Sequence, residues 1–165
     1  MTIYLGLKYL HVLGAIVLLG TGAGIAFFML LAHRTGKPLV VAEVARMVVV
    51  ADFVFTTTAV VAQPVTGVAL AWHVGYSLWE GWILLSMALY VITGVFWIPV
   101  VFLQMQMRDI AFQAVRDGRA LPDGYHRRFR TWFAFGFPAF GAVVAILWLM
   151  IARPRIEFLA SLGAL

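Results

Sequence analysis

The chain contains no cysteine. That absence excludes disulfides, thiolate-bound zinc, iron–sulfur clusters, cysteine nucleophiles and covalent c-type haem attachment in one step. It leaves the redox compartment open. Charge is scarce too, at 12% of residues against 64% hydrophobic, where soluble domains carry about a quarter charged and half apolar. A water-soluble fold of this composition would expose much of its apolar surface, so the expected solvent is lipid. The net charge of +5 does not argue for nucleic acid, because the basic residues gather in short segments between apolar runs and read as topology signals.

Formal charge is missing altogether from Tyr9 to Ala32, from Phe53 to Trp72, from Gly81 to Met107 and from Thr131 to Ala152. Each run is long enough to cross about 30 Å of hydrocarbon at about 1.5 Å per residue. No segment shows the run of about ten alternating residues that a membrane β-strand needs. The 165 residues therefore read as one domain (1–165) with spans at about 4–32, 45–72, 81–107 and 130–152. The expected fold class is all-α, an integral membrane four-helix up-down bundle.

Lys and Arg set the orientation. Nine of the twelve, Arg34, Lys37, Arg46, Arg108, Arg116, Arg119, Arg127, Arg128 and Arg130, fall in or beside the first and third connections; Lys8, Arg153 and Arg155 fall on the other side. The positive-inside rule then puts both basic loops in the cytoplasm and both termini outside. Trp72, Trp79 and Trp82 flank the short outer connection as an interfacial aromatic belt would. Thr35-Gly36-Lys37-Pro38 and Leu121-Pro122-Asp123-Gly124 read as breaks. Arg108 to Asp117 reads as a helical extension of the third span, and Ile156 to Leu165 as a short interfacial helix.

Polar residues inside a span are costly and should face the protein interior. Asp52, Thr56, Ala59 and Gln63 share one face of the second span. Ser86, Tyr90, Thr93, Trp97, Gln104 and Arg108 share one face of the third. Asp52, Thr56, Gln63 and Tyr90 together are a candidate polar or proton path; the plainer reading is hydrogen bonding between helices, with Asp52 paired to Arg46 or Arg108. Pro64 and Pro99 each free a carbonyl one turn earlier. The fourth span, rich in Phe with Gly and Ala between, reads as packing and lipid contact. His33 and His126, each beside arginine, read as solvated.

His11 differs, because it lies within the first span. Gly14 and Ala15 follow one turn later and Gly22 three turns later on the same ridge, giving an imidazole under a smooth surface. A flat macrocycle needs that combination. His73 ends the second span on the same side, so His11 and His73 are candidate metal ligands for one haem iron. Lys8, one turn nearer the outer surface, is a candidate partner for a haem propionate. The cofactor-binding set is thus His11, His73, Lys8, Gly14 and Gly22, for haem b. The plainer reading is that small residues pack helices and a lone histidine is hydrogen-bonded.

The segments Leu7 to Ala15 (LKYLHVLGA), Asp52 to Gly67 (DFVFTTTAVVAQPVTG), Trp97 to Asp109 (WIPVVFLQMQMRD) and Trp132 to Pro154 resemble a bacterial family of predicted integral membrane proteins, domain of unknown function 2269. The resemblance covers nearly the whole chain and implies a multi-pass protein of the bacterial inner membrane, but no activity. Lys8 and His11 also make the opening similar to HemJ-type protoporphyrinogen oxidases, which are four-helix haem b proteins, and to CopD-type copper-resistance domains. HemJ-type proteins carry a basic residue inside the third helix. None stands between Gly81 and Met107 here, a departure that speaks against the oxidase activity. Three functions stay open: a haem b-binding or quinone-linked redox protein, a small carrier or ion-handling protein, and a non-catalytic scaffold. The expected partners are the lipid bilayer, a quinone or membrane redox partner, and a second copy of the chain as a homo-oligomer. No nucleic acid is expected.

Overall fold

The computed structural model describes residues 2–156, so the tail expected to lie in the interface falls almost wholly outside them. All regular structure among the described residues is helical: α1 (Thr2–Arg34), α2 (Pro38–Ala51), a π-helical turn (Asp52–Thr56), α3 (Thr57–Val74), α4 (Gly81–Arg116) and α5 (Asp123–Ala152). α1, α4 and α5 are each long and apolar enough to cross a membrane. α3 is shorter, with 18 residues, or about 27 Å. The expected second span at 45–72 is a longer helical path from Pro38 to Val74, broken in register by the π-turn. The expected extension of the third span is present, since α4 continues to Arg116.

The breaks follow the turn chemistry. Gly36 (φ +64°) and Gly75 (φ +84°) adopt the left-handed conformation that ends α1 and α3, where a side chain would strain the backbone. Pro38 starts α2 and Pro122 caps α5, in keeping with the missing N–H of proline at a helix start.

Packing is uneven along the molecule. Around the Gly36 turn, Met29, Val41, Ala42, Met107, Ala111 and Tyr125 are almost completely buried. Small residues on α2 and α4 let those helices approach, and Tyr125 and Phe129 fill the space beside them. Toward the Gly75 turn, α4 stays on α5 and α1 on α3. The two pairs part there and enclose a cavity of about 1010 Å³. Large apolar side chains such as Phe28, Val65, Phe102 and Trp148 point outward and are exposed. Hydrocarbon accepts that surface without the free-energy penalty that water imposes.

His33, expected to be solvated, is half-buried. Its ring stacks on Phe129 with centroids 3.7 Å apart, and its Nδ1 lies 3.3 Å from the Tyr125 hydroxyl. The aromatic side chains of early α5 cover one side of the ring.

Candidate functional site

The cavity has an apolar body and polar groups at distinct levels. Its size is at the upper end of the range of about 300–1,000 Å³ usual for ligand pockets. α1, α3, the π-turn, α4 and α5 all contribute to its wall.

His11 is buried in the wall. Its Nδ1 lies 2.9 Å from the Thr66 hydroxyl, and that hydroxyl donates to Ala62 O at 2.7 Å one turn earlier in α3. Thr66 thus holds one ring nitrogen of His11 on the α3 side. Nε2 faces the Met150 sulfur of α5 at 3.3 Å. His11 thus bridges α3 and α5 through its two ring nitrogens. Gly67 of α3 makes the approach possible, since a Cβ there would stand 3.2 Å from His11 Cε1.

The other residues expected in a cofactor site divide. Gly22 lines the cavity. Gly14 does not offer open surface: the Gln63 amide occupies the place a Cβ would take and donates to His11 O at 2.8 Å. Gln63 therefore ties α3 to α1 under the histidine. His73 does not join His11. It is exposed at the end of α3, lies outside the cavity wall, and stacks on Tyr4 with centroids 6.2 Å apart. Thr66, the partner of His11, is two helical turns earlier in α3, which accounts for the separation. Lys8 and Arg153 both border the cavity. Lys8 Nζ sits 5.7 Å from the Tyr4 ring centre, and Arg153 donates to the Tyr76 hydroxyl at 2.9 Å.

Asp52 and Gln104 sit deeper, against the packed core, with 3% and 2% of their surface exposed. Gln104, with its amide nitrogen toward Asp52, donates to Oδ2 at 2.8 Å and accepts from Trp132 Nε1 at 3.1 Å. Trp97 Nε1 points at Asp52 Oδ1 from 3.4 Å. Among the described residues no cation pairs with Asp52: Arg46 bonds Glu43 at 3.0 Å and Arg108 bonds Asp109 at 2.8 Å. The ion pairs expected for Asp52 do not form, because both arginines find acids on their own helices. Thr56 borders the carboxyl group, yet its buried hydroxyl finds no hydrogen-bond partner. All of this lies at the π-turn, a helix irregularity frequent at functional sites.

Tyr90 donates to Val60 O. Ser86 and Thr93 donate within α4, to Trp82 O at 2.7 Å and Leu89 O at 2.9 Å. Those two hydroxyls are thus satisfied locally rather than between helices, the usual self-pairing of Ser and Thr one turn back.

Two contributors come from the span expected to serve only packing. Trp132 and Met150 both belong to α5 and both line the cavity. Neither carries a period-based signal, because Trp and Met count as apolar in any helical pattern; only their contacts reveal a polar N–H and a soft sulfur turned inward.

Neither a curated protein nor a solved structure matches the chain. The model of the family described as predicted integral membrane protein (DUF2269) matches residues 5–154. With nearly its whole length covered by that model and three helices suited to crossing a bilayer, the chain belongs to the DUF2269 family of integral membrane proteins.

Proposed function

We propose that the chain is a haem b-binding redox protein of the bacterial inner membrane, with His11 as an axial ligand. The observation that carries this reading is His11, buried in the cavity wall with one ring nitrogen on the Thr66 hydroxyl and the other on the flexible Met150 side chain. Metal-binding histidines carry such a polar partner on the nitrogen that does not meet the metal. The wall suits a flat macrocycle, since Ala15 and Gly22 of α1 and Gly136 and Ala139 of α5 keep it smooth. A Cβ at Gly136 would meet nothing within 4 Å. Lys8 and Arg153 supply positive charge at one edge, where propionates would lie. When bound, the haem supplies one-electron chemistry, and a membrane quinone is the matching partner class. His11 would hold the iron, the apolar wall would exclude water, and Lys8 and Arg153 would orient the acidic edge.

The same reading takes both termini, Lys8 and Arg153 to be outside, with the Gly36 turn and Arg119 in the cytoplasm, on the nine-to-three distribution of basic residues.

Protein purified after expression with ample haem should show a Soret band, with sharp α and β bands on reduction. His11→Ala should remove the spectrum or alter it strongly, and His33→Ala should leave it unchanged. A colourless protein that also fails to take up added haemin would end the haem reading. One observation favours a second reading, a small carrier: among the described residues Asp52 has no ion-pair partner and the Thr56 hydroxyl no hydrogen-bond partner at the cavity wall, where a polar group of a transported molecule would be held.

A further inference from the structure

We propose that the deep end of the cavity, at Asp52 and Thr56, binds the hydroxyl of a long-chain phenol, the chemistry of a membrane quinol. This puts the quinone-class partner on particular residues and rests on the redox reading for that partner alone; the site itself needs no haem. The observation that carries it is the Thr56 hydroxyl. Thr56 lines the cavity with 6% of its surface exposed, and its hydroxyl has no hydrogen-bond partner among the described residues.

The π-turn accounts for that free hydroxyl. Thr58, Thr66, Ser86 and Thr93 each return their hydroxyl to the carbonyl four residues earlier, the usual self-pairing in a helix. For Thr56 that carbonyl is Asp52 O. The π-turn shifts the register by one residue, so Asp52 O receives the Thr57 N–H and the Thr57 hydroxyl at 3.1 Å. A carbonyl has two lone pairs, and both are taken. Leaving a buried hydroxyl unpaired is costly, and a ligand removes that cost.

Asp52, one turn earlier, is presented as an acceptor. Trp132 Nε1 can only donate, so Gln104 turns its oxygen to Trp132 and its amide hydrogens to Asp52 Oδ2, while Trp97 Nε1 points at Oδ1. Among the described residues no cation pairs with the carboxyl group. A hydroxyl suits both neighbours, donating to Asp52 and accepting from Thr56. Trp97, Trp132 and Phe133 line the cavity and match an aromatic ring; the apolar remainder of the wall takes a tail. α3 and α4 part along the cavity, so the tail can continue sideways into hydrocarbon. Thr66, which holds His11, lies about 15 Å further along the helix axis from Thr56. The phenol and His11 therefore occupy separate levels.

The test is binding to the detergent-solubilised full chain, followed by calorimetry. Wild type should bind para-decylphenol, and should bind decylbenzene, which lacks the hydroxyl, about tenfold more weakly. Thr56→Val keeps the shape of the side chain and should weaken para-decylphenol about five- to tenfold, the loss of one hydrogen bond. Thr56→Ser should restore it. Without ligand, Thr56→Val should melt no lower than wild type, because its hydroxyl has no partner to lose. A decyl-substituted quinol kept reduced should bind as the phenol does, and its quinone, whose carbonyls only accept, more weakly. Equal phenol binding by wild type and Thr56→Val would overturn the site, as would equal binding of the phenol and decylbenzene by wild type. A lower melting temperature for unliganded Thr56→Val would give the hydroxyl a structural partner and overturn it too. Phenol binding with no quinol binding would overturn the quinol as its occupant. A protein that binds the phenol but no haem upholds the site and ends the haem reading; one that binds haem and ignores the phenol ends the site alone.

Discussion

Tyr90 donates its phenolic hydrogen to the backbone carbonyl of Val60, the carbonyl four residues before Pro64. Proline has no N–H, so Val60 O loses its helical partner. A tyrosine on α4 supplies the donor instead, across the gap where α3 and α4 part. A side chain expected on a polar path thus repairs a backbone defect.

Tyr90→Phe should consequently lower the melting temperature in detergent, at a cost of about 0.6–1.7 kcal/mol, the span measured for hydrogen bonds inside membranes. In a Pro64→Ala background the helix can close its own bond to Val60, and the same change should cost less. Equal cost in both backgrounds would separate Tyr90 from the Pro64 defect.

Asp52→Leu should destabilise by about 1–3 kcal/mol, the usual cost of leaving buried donors unpaired. The larger loss of about 3–5 kcal/mol that follows breaking a buried ion pair is not expected, since among the described residues no cation pairs with Asp52. Asp52→Asn keeps one acceptor and should cost less than Asp52→Leu. Chemical denaturation of the three proteins ranks them; a loss for Asp52→Leu in the ion-pair range would point to a cation partner.

Gly14→Ala should drive the Gln63 amide from its seat and break its bond to His11 O. Overpacking of this kind costs about 1–3 kcal/mol. The same substitution in a Gln63→Ala protein should be nearly silent. A large loss that persists there would show that another group occupies the Gly14 surface.

Gly81→Ala should displace the chain after α5, because a Cβ at Gly81 would strike the carbonyl and side chain of Ile156. Protease sensitivity near Ile156 should rise, with the helices intact by circular dichroism. An unchanged digestion pattern would mean that this contact does not hold the segment.

Orientation is open to direct labelling, since no native cysteine interferes. In intact cells an impermeant thiol reagent should modify Thr2→Cys and Ser77→Cys, and spare Gly36→Cys and Arg119→Cys. The reverse pattern would invert the topology and place Lys8 and Arg153 in the cytoplasm.

Composition, charge-free runs and turn residues by themselves determined that this chain is helical and membrane-embedded, and where its helices break. Those are local or additive properties: length of an apolar run, a missing N–H at Pro38, a left-handed glycine at Gly36. The polar faces of Asp52, Thr56 and Gln63 and of Tyr90 and Trp97 were legible for the same reason, since period alone puts them inward. Only the tertiary structure decided what those groups do. It decided that Gln63 fills the Gly14 surface, that Tyr90 repairs a carbonyl, and that Asp52 meets Gln104 rather than an arginine. It also decided that His11 faces Met150 rather than His73. Pairings of this sort depend on the relative rotation and height of helices far apart in the chain, set by how small residues such as Ala42, Ala45 and Ala111 let the helices close at one end and part at the other. No single helix carries that information in its own spacing.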